Sequence, residues 1–213
     1  MNGVFVTGTG TEVGKTVAAA AIARAHAAAG ERVAVFKPVV SGLDEDGEAD
    51  HELLRRAANS RQSDDEIAPY RYDPPVSPHL AADMAGEEID RDRLVAAVHK
   101  AAASGFLVCE GVGGFLVPLT REYLVRDFAC DVGLPVAIAA TPGLGTINHT
   151  LLTIEAVRGA GLEVAYVVLT PWPSRPSPMQ ESNRATIDTT GEVRVLTLPE
   201  LDLAEPGTWP ALG

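Results

Sequence analysis

Three stretches of the chain carry side chains at spacings that suit chemistry. The first is Gly8-Thr9-Gly10-Thr11-Glu12-Val13-Gly14-Lys15-Thr16, directly after the apolar Val4, Phe5 and Val6. Glycines let backbone N–H groups crowd around an anion, and a helix starting where the loop ends adds partial positive charge. Lys15 has the reach for terminal phosphates, and the Thr16 hydroxyl suits a magnesium ion. The usual pattern is G-x-x-x-x-G-K-[ST]. Here Thr9 stands where its first glycine belongs, so the loop is one residue longer if Gly8 is counted. The alternative is a glycine-rich turn without a ligand. A Gly-Lys-Thr tripeptide opening a helix after an apolar strand favours a nucleoside triphosphate.

The second stretch is Lys37-Pro38 with Ser41-Gly42, closing the apolar residues 33–36. A lysine at a strand's end is either a solvated cap or, beside a phosphate loop, a second cation for a phosphoryl group in transit. We expect its strand to lie next to the loop. The third is Glu110, at the end of Phe106-Leu107-Val108-Cys109 and ahead of Gly111-Val112-Gly113-Gly114, which we expect to turn away. It reads as a magnesium-binding acid or as a helix cap. An acidic run, Asp44, Glu45, Asp46, Glu48 and Asp50, has the look of a solvated face. Asp50 alone precedes an apolar helix, and spacing leaves it open between cap and metal ligand. Gly143-Leu144-Gly145-Thr146-Ile147-Asn148-His149 is a second glycine-rich lead-in, a flexible turn or a holder of a carboxylate or phosphate. His149 reads as structural.

Composition narrows the classes. The chain has 213 residues, enough for one domain, and 46% hydrophobic residues with 5% aromatics, so its core is built mainly of Ala, Val, Leu and Ile. A formal charge of −12 argues against nucleic acid as a partner. The two cysteines, Cys109 and Cys130, make no disulfide framework. No basic segment precedes the first strand and no apolar run reaches a membrane span, so the expected place is the cytoplasm, away from membranes.

Positioning falls to alternating strands and helices. Strands are expected at 4–6, 33–36, 106–109, 135–139, 164–169 and 193–198. Helices are expected at 16–29, 51–58, 92–104, 123–131, 147–158 and 179–190, with loop over 61–78 and 170–178 and an irregular tail from Pro199. The fold class is α/β, a mostly parallel sheet with helices on both faces. Ligands of such sheets bind at the carboxyl ends of the strands. The phosphate loop, Lys37, Glu110 and Thr170-Pro171 share that rim.

The ordered set of V-T-G-T-G-T-E-V-G-K-T (6–16), F-K-P-V-V-S-G (36–42), A-D-H (49–51), V-C-E-G-V-G-G (108–114) and G-T-I-N-H-T (145–150), with P-V-S-P-H (75–79) and P-E-L (199–201), resembles the dethiobiotin synthetases, P-loop enzymes, over nearly the whole chain. The resemblance implies one ATP-dependent ligase domain over 1–213. In that family's reaction 7,8-diaminononanoate takes up CO2 as a carbamate, ATP phosphorylates it, and the second amine closes the ring with loss of phosphate. Matched by position, Lys15 and Lys37 are catalytic, Lys15 on the terminal phosphates and Lys37 on the carbamate and moving phosphoryl group. Glu12, Val13, Gly14, Lys15, Thr16 and Val17 wrap the nucleotide. Asp50, Glu110, Gly111, Val112, Gly113, Thr170, Pro171, Pro199, Glu200 and Leu201 complete its site. Thr16, Asp50 and Glu110 hold Mg2+. Thr11, Lys37 and Ser41 contact substrate, and Gly145, Thr146, Ile147 and Asn148 hold its far carboxylate across a homodimer interface.

One departure stands out. Many members carry Asn-Asp where this chain has Thr170-Pro171, and there the Asn reads adenine, so discrimination between bases is expected to weaken. Two rivals share the loop. A partitioning or metal-delivery ATPase carries an early signature lysine, but the first lysine here is Lys15. A small-molecule kinase of this size carries an arginine-bearing lid, and residues 175–184 offer only Arg175 and Arg184.

Overall fold

The computed structural model describes residues 1–43 and 47–210. Asp44, Glu45 and Asp46 of the acidic run lie outside the described residues. The first strand is β1 (Gly3–Gly8), and the phosphate loop leads from it into α1 (Lys15–Ala28). β2 (Val33–Phe36) and the short β3 (Val39–Ser41) precede α2 (Asp50–Ala57), α3 (Asp64–Ile67), β4 (Tyr70–Tyr72), α4 (Pro78–Ala85) and α5 (Arg91–Ala102). Then come β5 (Phe106–Gly114), α6 (Val125–Val132), β6 (Val136–Ala140), α7 (Thr146–Gly159), β7 (Val164–Trp172), α8 (Pro178–Gly191) and β8 (Val195–Pro199).

Six of the strands form one parallel sheet in the order β2-β5-β1-β6-β7-β8, and β3 and β4 pair as a separate parallel ribbon. Side chains alternate between its faces. Phe5 joins a core with Phe36, Leu94, Phe128, Ile154 and Ile187, under α5, α6, α7 and α8. Val4 and Val6 point the other way, into a core with Leu53, Leu54 and the alanines of α1. Ala18, Ala19 and Ala20 are fully buried, and side chains this small bring α1 close against the strands. Among the described residues no helix is long and apolar enough to cross a membrane.

Four expectations need correction. The strand carrying Lys37 is not beside β1, because β5 lies between them. Gly111-Val112-Gly113-Gly114 does not turn away. It continues β5, and Gly114 pairs with Gly8 of β1. The 61–78 loop contains α3, nucleated by a Ser63/Glu66 capping box, and β4, whose Tyr70 and Tyr72 are buried. Residues 170–172 belong to β7, with Trp172 pairing to Pro199.

Candidate functional site

The phosphate loop ends on Gly14, which takes a left-handed conformation (φ 82°) as N-cap of α1, with no side-chain cap hydrogen bond. A Cβ at this position would lie 2.5 Å from Cγ2 of Thr170, so glycine is required both by backbone and by space. Glu12 is also left-handed (φ 57°), which costs a non-glycine residue about 1–2 kcal/mol. Lys15 is buried and donates from Nζ to the Gly10 carbonyl at 2.8 Å, lying along its own loop. Burial holds its pKa below the ordinary lysine value, Glu110 opposes that and Lys37 adds to it.

Register brings the acids to the same place. Phe36 pairs with Cys109, so the next residues, Lys37 and Glu110, stand side by side at the sheet's rim. Lys37 Nζ lies 2.7 Å from Glu110 Oε1 and 2.6 Å from Asp50 Oδ2. Thr16 Oγ1 is 2.9 Å from Asp50 Oδ1 and 2.9 Å from Glu110 Oε1, and its single proton serves one of them at a time. Glu110 and Lys37 are buried, whereas the Asp50 side chain is 42% exposed. Burial opposes the charge on Lys37, but Glu110 and Asp50 outweigh it and its pKa rises. Burial likewise opposes the charge on Asp50, and Lys37 with Thr16 outweighs it, so its pKa falls. For Glu110 burial dominates: its pKa is raised despite Lys37, and Asp50 pushes the same way.

These residues fit a magnesium ion. Glu110 Oε2 is buried without a hydrogen-bond partner, a costly state for a carboxylate oxygen unless a cation meets it. Two carboxylates and a hydroxyl are hard oxygen donors. Among the described residues no three His, Cys, Asp or Glu side chains form a metal cluster. That leaves an incomplete shell of the kind Mg2+ fills with phosphate oxygens and water.

The other expected residues share the rim but not this ion-pair cluster. Ser41 ends β3, partly buried, and Thr11 is exposed on the loop. Val13 on the loop and Val17 in the first turn of α1 are partly buried. Gly111 and Val112 lie within β5, and Gly113 follows with φ 61°. Gly145 caps α7 with φ 92°, followed by the buried Thr146, then Ile147 and Asn148. The lead-in is fixed by Asn183, whose Nδ2 donates to the Pro142 and Gly143 carbonyls at 3.1 Å each. Thr170 is buried with its methyl against Gly14, whereas Pro171, Pro199 and Glu200 are exposed and Leu201 is partly buried. A cavity of about 740 Å³ lies elsewhere, near the amino end of β2, lined by Arg32, Arg61, Glu66 and Lys100 among others, and holds none of the site residues. Sequence reasoning passed over Arg56, whose only signal is a basic residue in the last turn of α2.

Comparison with known proteins gives the family and the fold. The family described as an AAA domain matches residues 2–207. An ATP-dependent dethiobiotin synthetase BioD of Anaeromyxobacter dehalogenans is 43% identical over 188 residues, covering 88% of this chain and 84% of that protein. Its namesake from Bacillus velezensis is 36% identical over 205 residues, covering 95% and 88%. That of Acidiphilium cryptum is 37% identical over 195 residues, covering 88% and 87%. Among solved structures, a ParA family ATPase from Chlorobium tepidum superposes with a TM-score of 0.56 at 12% identity, over 97% of this chain and 89% of that one, a likeness of fold.

Proposed function

The chain belongs to the ATP-dependent dethiobiotin synthetase family, and from that premise we propose that it carboxylates 7,8-diaminononanoate with CO2 and closes the ureido ring at the expense of ATP. The observation that carries the reading is the cluster of Lys37, Asp50, Glu110 and Thr16 at the end of the phosphate loop.

The reaction proceeds in three balanced steps. One amine nitrogen bonds to CO2 and loses a proton, giving a carbamate. A carbamate oxygen then bonds to the γ-phosphorus of ATP, and the bond to the bridging oxygen breaks, releasing ADP. The second amine attacks the carbonyl carbon, loses a proton, and the C–O bond to phosphate breaks. Negative charge accumulates on the carbamate and phosphoryl oxygens in the second step. Lys15 and Lys37 would meet it, and preorganised cations cost no reorganisation when charge develops. Glu110 and Asp50 keep Lys37 protonated and fixed in direction. Thr16, Asp50 and Glu110 would hold Mg2+, which would supply positive charge to the phosphates.

Around this centre, Glu12 to Val17, Gly111 to Gly113, Thr170-Pro171 and 199–201 serve the nucleotide, while Thr11, Ser41 and Gly145 to Asn148 serve the diamine. The last group would act on the site of a second copy in a homodimer. Residues 1–213 act as one domain, in the cytoplasm. The test is to incubate the protein with diamine, bicarbonate, Mg2+ and ATP. One ring and one phosphate per ATP support the ligase. A stable phosphorylated product would make it a kinase, and hydrolysis independent of the diamine a switch ATPase.

A further inference from the structure

The chain beyond β8 is held by polar contacts. Arg24 Nε of α1 donates to the Pro206 carbonyl at 3.0 Å. Trp209, buried against the α1 and α2 side of the core, donates its indole N–H to the Asp202 carbonyl at 2.7 Å. A third anchor differs from these because it grips two segments at once. Arg56, near the end of α2, turns its guanidinium back toward the helix start, the direction in which helical side chains lean. Nε donates to Glu48 Oε1 at 2.9 Å and Nη2 to Glu48 Oε2 at 2.5 Å, a bidentate fork. Nη2 also donates to the Leu203 carbonyl at 2.7 Å, and Nη1 reaches that of Ala204 at 3.5 Å.

Both ends of this bridge border the site. Glu48 stands two residues before Asp50, which carries Thr16 and Lys37 on its carboxylate. Leu203 stands two residues after Leu201, the end of the 199–201 nucleotide wall. A lone surface ion pair contributes little, since water screens it. Arg56 is different in kind: a planar fork with a carboxylate on one side and chain carbonyls on the other, at 36% side-chain exposure.

We propose that Arg56 is a positioning residue that ties the segment after β8 to the Glu48–Asp50 turn, so that the nucleotide wall and the cation-holding Asp50 become ordered together. This rests on the ligase reading for the roles of 199–201 and Asp50. Neither group that Arg56 grips touches the reacting atoms, so its effect reaches nucleotide affinity and the coupling of nucleotide to Mg2+, not the chemical step.

The test compares the wild type with Arg56→Ala, Arg56→Lys, Glu48→Ala and the Arg56→Ala/Glu48→Ala double variant. ADP affinity is measured by calorimetry in saturating Mg2+ and in EDTA, alongside kcat and KM for ATP. Loss of a charged hydrogen-bond set predicts a KM for ATP about tenfold higher in Arg56→Ala, with kcat within about twofold. The factor by which Mg2+ tightens ADP binding should shrink in parallel. Arg56→Lys, which keeps charge but not the fork, should fall between. Glu48→Ala should reproduce the effect and the double variant should add nothing, as for residues acting through each other. An unchanged KM and Mg2+ factor in Arg56→Ala and Arg56→Lys would overturn the proposal. So would a fall in kcat that tracks the folded fraction with KM untouched, because that is a brace for the fold alone. A wild type that binds ADP tightly but makes no ring would defeat the ligase reading, and the calorimetric comparison would still judge Arg56.

Discussion

Two helices of this protein begin in the same way and are equipped for different work. α1 and α7 each start from a left-handed glycine, Gly14 (φ 82°) and Gly145 (φ 92°), with no side-chain cap on the first turn. Their surroundings diverge. Around α1 stand Lys15, Lys37, Asp50 and Glu110, and Gly14 is pressed against Thr170. At the start of α7 stand Leu144, 92% exposed, Asn183, which holds the Pro142 and Gly143 carbonyls, and His149, whose ring a Cβ on Gly145 would meet only at 3.7 Å. Backbone geometry by itself makes an anion-seeking helix end. Catalysis of phosphoryl transfer needs the charged company that only the first helix has.

The largest effect expected at the α1 site is from Lys37→Gln. It should lower kcat by about 10²–10³ while the Kd for ATP moves less than about threefold. Steady-state kinetics paired with calorimetry reads both, and loss of ATP binding with turnover intact would assign Lys37 the wrong role. Next comes Gly14→Ala. Left-handed strain together with the clash on Thr170 should weaken ATP binding by at least about tenfold. Adding Thr170→Ser removes the clashing methyl and should recover part of that loss. Gly145→Ala meets only strain, so its effect should stay within about tenfold, fall on KM for the diamine and leave ATP affinity unchanged. Equal damage to ATP binding from both substitutions would erase the distinction between the two helices.

How much of this was legible in the sequence depends on the kind of signal. Lys15 and Thr16 were legible because they close a glycine-rich loop at a helix start, whereas Lys37 and Glu110, each at the end of an apolar strand, read equally as caps until the β2–β5 register set them side by side. Asp50 was no clearer, since an acid ahead of a helix is as good a cap as a ligand; in the fold Ala49 takes the N-cap position of α2 and Asp50 stands 2.6 Å from Lys37. The strand order escaped as well. Nothing local in residues 33–36 or 106–114 says that β5 enters between β1 and β2, because parallel neighbours are chosen by long crossovers. Tyr70 and Tyr72 were hidden for a different reason: a three-residue strand among prolines is too short to show a period.

Two smaller effects complete the comparison. The Thr170 side chain is taken up by packing on Gly14, so reading of the base should be weak: kcat/KM for ATP should exceed that for CTP or GTP by less than about 100-fold, roughly 2.7 kcal/mol. The least effect belongs to a charge cluster away from both helix starts. Arg91 bonds Asp131 at 2.8 and 2.9 Å and, with Tyr123, holds its pKa below the ordinary value against burial. A lowered carboxylate pKa stabilises above the unfolded value near 4 and is lost as pH falls through the folded one. Because Arg91 is 59% exposed, water screens the pair and its contribution should be small. Melting curves of Arg91→Ala and wild type should therefore differ above pH ~4 and converge below it, with ATP affinity unaffected.

The proposed reaction turns on transfer of the γ-phosphoryl group to a carbamate oxygen. A single turnover begun with 18O-labelled CO2, diamine, Mg2+ and ATP tests it most directly. If the carbamate oxygen is phosphorylated and leaves with the phosphate, each inorganic phosphate carries one 18O and each ring one labelled carbonyl. Ring product with unlabelled phosphate, or phosphate released without ring product, would contradict the account.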